Sequence, residues 1–272
     1  GREGEVERAL LRPVVRGERV TRWRRPLDDA RILWPADDAG RALDRLPPHA
    51  GSWLAPWRRQ LAGRADARGG ASRARWWSLF RTDAADPSRP RVVWADVARA
   101  PRAAVLRRGD RAVPLNSCYV AHCDTDDDAF AFAALVHSPL GAAWLDAVAE
   151  PARGGYHRYL GWTVALLPVP RDWPRARAIL APLGRRAFVG DASADDALHI
   201  ATLAAFGLRA ADVAALLAWH GPGEPATGPE WTDTPVGELR YRPRGEPEPA
   251  LLRLVANLIA LELERSKAPA RA

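Results

Sequence analysis

Apolar residues follow two different patterns along this chain. Up to about residue 123 they come in short clusters broken by proline, glycine and charge. Beyond that point they recur at helical spacing over longer stretches. In the first part, EVERALLRPVVRGERVTRWRR (5–25) reads as a short helix or strand, a turn at Arg16-Gly17-Glu18 and a basic exit. ARILWP (30–35) reads as a strand stopped by Pro35. In 46–64, Trp53, Leu54, Trp57 and Leu61 are spaced by 3 and 4, which predicts a helix with Ser52 as its cap. RWWSLF (75–80) and PRVVWADVA (90–98) read as strands joined by a polar turn over 83–90, and AVPLNSCYVAHC (112–123) as another. Residues 64–75 are a basic Gly/Ala/Arg loop.

In the second part, Asp126–Asp128 sit at the favourable N-terminal end of one helix, and Ser138-Pro139 restarts another, making a helix hairpin over 127–149. Residues 153–170 read as a loop and then a strand, Trp162 to Leu167, ended by Pro168 and Pro170. Helices are expected over 174–189, 193–207 and 209–219, with Gly207 as a stop. A Pro/Gly linker (221–238) and an amphipathic helix (249–267) follow. Together these predict an α+β chain. A mostly antiparallel curved sheet with a helix hairpin precedes a helical C-terminal region.

The 272 residues are 47% hydrophobic, enough for a sizeable core. No run of 18 apolar residues is present, and the charged start GREGEVER has no signal-peptide core. A cytoplasmic location is therefore expected, with no membrane partner. The sequence contains no methionine, so Gly1 reads as a cut point in a longer polypeptide. Cys118 and Cys123 read as buried reduced thiols rather than a disulfide pair.

Charge adds a direction to this picture. Residues 1–111 hold 25 arginines against 14 acids, a net of +11, whereas 112–272 carry a net of −4. Seven of the twelve tryptophans share the basic part, a combination suited to phosphate and base contact. The plainer reading is a tryptophan core with solvated arginines around it. Two clusters concentrate the signal. One is Arg16, Arg19, Arg22, Trp23 and Arg24, with Arg73 and Arg75 further along. The other is Arg153, Gly154, Gly155, Tyr156 and Arg158, where paired glycines permit close approach of backbone to phosphate. The second cluster reads equally well as a glycine turn before a buried strand.

Other chemistry is thin. Cys118, His122, Cys123 and His137 lack the spacing of a zinc site. No GxSxG elbow occurs, and the glycines at 221–226 follow a helix rather than a strand, which is the wrong context for a dinucleotide loop. Asp124, Asp126, Asp127 and Asp128 fit either a metal-dependent nuclease or an acidic helix start.

Several strings occur together in order: ALLRPVVRGERVTRW (9–23), LPPHAGSWLAPWRRQLAGR (46–64), RWWSLFR (75–81), PRVVWADVA (90–98), LNSCYVAH (115–122), FAALVHSPLGAAWL (132–145) and GGYHRYLGWTVALLPVP (154–170). The ordered set resembles the TaqI-like target-recognition domain that follows the catalytic domain in adenine-N6 DNA methyltransferases and related restriction–modification enzymes. It departs from that pattern at His137-Ser138, where Asn-Ser is usual, and it matches nothing over 190–272. The N-P-P-Y tetrapeptide is missing as well; Leu46-Pro47-Pro48-His49 lacks both its amide and its aromatic. The resemblance implies a recognition domain over 1–170 and a helical extension over 171–272. It implies double-stranded DNA as partner, contacted by the two basic clusters. It also implies an N-terminal methyltransferase domain, upstream of Gly1, that binds S-adenosylmethionine and flips the target adenine. Neither a cofactor nor a catalytic residue is expected within this chain. A nuclease fragment and a helical protein-docking scaffold are the competing readings.

Overall fold

Contacts gather the chain into two units in the computed structural model, which describes residues 3–25, 29–64 and 75–220. One unit takes in the chain to Asp96 and then Arg102–Ala133. The other takes in Val97–Pro101 and the described chain from Ala134 to His220. Most of the expected basic loop, including Arg73, lies outside the described residues. So do the 221–238 linker and the 249–267 helix.

The first unit is built on two small sheets. β1 (Leu11–Val15) pairs antiparallel with β2 (Arg31–Leu33) and, on its other edge, parallel with β6 (Val113–Pro114). β3 (Arg91–Ala95) lies between β5 (Ala103–Leu106) and β7 (Cys118–His122), antiparallel to both. Every residue of β3 is buried, as its unbroken Val-Val-Trp run demands of a central strand. Two guanidiniums lie inside this unit. Arg12 meets Asp38 at 2.6 Å and stacks on Trp34, while Arg91 donates to the carbonyls of Ala84, Ala112 and Asp110. Burial pushes the pKa of both down, and these charges serve the core rather than a partner.

Residues 46–64 are helical in three pieces: α1 (Pro48–Leu54), a 3₁₀ turn (Ala55–Trp57) and α2 (Arg58–Ala62). Ser52 lies inside α1 and is not its cap. The Glu7 carboxylate takes that role by accepting from the His49 and Ala50 N–H groups at 2.9 Å each. Residues 75–80 form turns rather than a strand. There Trp76 and Trp77 pack edge to face and Trp77 Nε1 donates to the Leu43 carbonyl, so the rings are used in packing without a neighbouring strand.

α3 (Asp126–His137) starts in the first unit and ends in the second. Thr125 and Asp128 close its start reciprocally: Asp128 N–H donates to Thr125 Oγ1 at 3.1 Å, and Thr125 N–H donates to the Asp128 carboxylate at 3.2 Å. α4 (Pro139–Val148) restarts as expected, with Ser138 Oγ accepting from Gly141 N–H at 3.0 Å. In the second unit β4 (Val97–Ala98), β9 (Tyr156–Arg158) and β8 (Glu150–Ala152) form an antiparallel sheet in that order. The expected strand at 162–167 is instead a short helix, α5 (Gly161–Ala165). A short apolar run has no period that separates the two. Four helices follow: α6 (Trp173–Phe188), α7 (Ala192–Asp196), α8 (Leu198–Phe206) and α9 (Ala210–His220). Asp146 on α4 accepts from the Tyr159 hydroxyl and lies 3.2 Å from His220 Nδ1 on α9, a buried polar tie across this unit. Among the described residues no single helix is long and apolar enough to cross a membrane.

Candidate nucleic-acid interface

The first basic cluster is a turn fastened to a sheet. After β1 the chain makes a 3₁₀ turn, Gly17–Arg19, pressed against residue 117. Gly17 N–H donates to Ser117 Oγ at 2.9 Å, and a Cβ on Gly17 would fall 2.1 Å from the Ser117 carbonyl oxygen, so only glycine fits there. Trp23 then joins the edge of β5. Its N–H donates to Ala103 O and its carbonyl accepts from Val105 N–H, both at 2.8 Å, with the backbone at φ +70°. The indole is buried. Trp23 is thus an anchor, and its assignment as a DNA contact is corrected: a ring enclosed in the core presents no face to a base. Arg19, Arg22 and Arg24 remain exposed around it and Arg16 half-buried. Thr21 Oγ1 donates to Arg24 O at 2.7 Å and tightens the same turn.

The second basic cluster is the end of a hairpin. β8 and β9 pair in register from Glu150↔Arg158 to Ala152↔Tyr156, leaving Arg153, Gly154 and Gly155 to make the turn. Both glycines have positive φ, +72° and +73°, which is the conformation their lack of Cβ permits. Arg153 and Arg158 are exposed, and Tyr156 is partly so. The Arg99 guanidinium lies 5.0 Å from the centre of the Tyr156 ring. Sequence reasoning missed Arg99, because β4, which ends just before it, is remote in sequence from its partner β9.

Other predicted positions are engaged internally. Arg75 meets Asp44 at 2.6 Å. Asp124 meets Arg89 at 2.7 Å and Asp126 meets Arg107 at 3.3 Å, while Asp128 closes the α3 capping box. Those acids are structural counter-charges, and among the described residues no group of three or more His, Cys, Asp or Glu is gathered to hold a metal ion. Arg25, Arg41 and Arg111 are also held, by Asp110, Asp37 and Asp38. Cys118 and Cys123 are half-buried free thiols, pushed by burial up to about 11 and about 12. Phe80 stands out as an exposed ring with the Arg81 guanidinium 5.3 Å from its centre; one Phe-Arg pair in sequence gave no reason to expect it.

The second unit also holds a partly open apolar pocket of about 150 Å³ between α4, the 167–168 turn, α8 and α9. No protein-family model matches this sequence, and no curated protein matches it.

Proposed function

We propose that this chain is the DNA-recognition part of an adenine-specific N6 DNA methyltransferase of the restriction–modification or phage-defence type. In this reading it holds duplex DNA in register while a catalytic domain outside the sequence flips the base and transfers the methyl group. That catalytic domain, rather than this chain, would bind S-adenosylmethionine. The observation that carries the reading is the turn at 16–24, where three exposed arginines surround a backbone bolted to a sheet edge. Cations on a fixed frame suit phosphates, which set register, better than cations on a loose loop. The ordered sequence strings support the particular enzyme class.

The test is duplex binding across a salt series. An affinity that falls steeply as salt rises is the expected result, because each neutralised phosphate releases counterions. A flat response, or no binding at low salt, sinks the reading. Cleavage of DNA by the chain with a divalent cation would replace it with the nuclease reading.

A further inference from the structure

The pocket in the second unit is walled by Leu140 and Trp144 of α4, Leu167, Phe206 of α8, and Val213 and Leu216 of α9. Three polar residues also line it, and two of them are already engaged. Ser138 Oγ donates to Leu135 O and accepts from Gly141 N–H. The Asp212 carboxylate accepts from Arg209 N–H at 2.8 Å and pairs with its guanidinium at 2.9 Å. The third is Thr202, fully buried on α8, whose hydroxyl has no hydrogen-bond partner among the described residues. A charged ligand would lose its hydration here without compensation. Water is poorly served too, since it needs two to four polar partners, and an apolar space of this size accepts benzene.

We propose that this pocket binds a small uncharged molecule, one aromatic ring or a short branched alkyl group bearing at most a single hydroxyl, with Thr202 Oγ1 as its hydrogen-bond partner. The ring packs among Trp144, Phe206 and the leucines, and the partnerless Thr202 hydroxyl is the polar group of the wall that a ligand hydroxyl would engage. This inference does not depend on DNA binding.

The experiment is NMR titration of the full chain with benzene and with phenol, following the indole Nε1–H of Trp144, which donates to Leu166 O at 2.9 Å. That resonance is assigned by its disappearance in Trp144→Phe. Saturable shifts with both compounds are expected, with phenol roughly fivefold tighter through its one extra hydrogen bond. Thr202→Val keeps the shape and is expected to abolish the preference for phenol while benzene still binds. Val213→Phe is expected to fill the pocket and stop both. Should that variant fail to fold, the isosteric Thr202→Val comparison still decides. Absence of saturable shifts with either compound overturns the site. Unchanged phenol preference in Thr202→Val overturns the role given to Thr202.

Discussion

The two basic turns, 16–24 and 153–158, are alike in composition and opposite in how they are held. The first depends on distant partners: Gly17 on Ser117, and Trp23 on Ala103 and Val105. The second is a hairpin turn whose own shape follows from two left-handed glycines, while its strand β9 also pairs with the remote β4. A turn fixed by long-range contacts fails together with the unit that holds it. A local turn fails alone. Loss of binding therefore means different things in the two places, and substitutions chosen for their effect on the frame separate them.

The largest effect is expected from Trp23→Ala. It removes a buried indole from the β5 edge and is expected to cost about 3–5 kcal/mol, read as a lowered denaturation midpoint. If the turn meets DNA as proposed, affinity should fall with it. A variant with unaltered stability would show that the anchor does not hold the turn. Gly17→Ala forces a methyl onto the Ser117 carbonyl and is expected to cost about 1–3 kcal/mol. Gly155→Ala must adopt a left-handed conformation, at about 1–2 kcal/mol, and a locally held turn keeps that loss within the hairpin. Hydrogen exchange checks this: faster exchange at Ala152 and Tyr156 with β3 unchanged is the expected pattern, and faster exchange in β3 would break the contrast between the turns.

Alkaline pH separates the turns by another route. Cys118 Sγ lies 3.5 Å from the Val15 carbonyl, just behind the first turn. Burial raises its thiol from the ordinary 9.0 to about 11. Between these values the folded chain holds a proton that the unfolded chain has lost, so stability declines as pH rises through that range. Cys118→Ser is expected to flatten the decline in denaturation midpoints between pH 9 and 11. Cys123 continues the loss toward about 12.

Much of this frame was readable in the sequence where a residue type forces local geometry. Ser138-Pro139 marks the start of α4 because the hydroxyl caps and the ring pre-sets the first turn. The spacing after 173 marks the helices. Legibility failed where partners are remote or runs are short. Ser52 looked like a cap because it precedes the periodic residues, but Glu7 supplies the cap from 42 and 43 residues away. The apolar run after Gly161 is too short for its period to tell helix from strand. At the candidate interface, the exposure of Arg19, Arg22 and Arg24 follows from their density. The burial of Trp23 among them does not, because it depends on Ala103 and Val105 offering a free strand edge.

The smallest effect on stability, and the sharpest use of the comparison, belongs to the arginines themselves. Arg19, Arg22 and Arg24 are exposed, so changing all three to Ala is expected to cost no more than about 1 kcal/mol per site, the scale of a surface ion pair. If they meet phosphates, the slope of log affinity against log salt should shrink by about 0.9 for each phosphate no longer neutralised. The weakening should also be uniform across DNA sequences, because phosphates carry no base identity. Arg153→Ala with Arg158→Ala makes the parallel test on the hairpin. A sequence-dependent weakening there, set against a sequence-independent one at the first turn, would divide the work between register and readout. Equal, sequence-independent weakening would make both turns phosphate clamps and move base readout elsewhere in the chain.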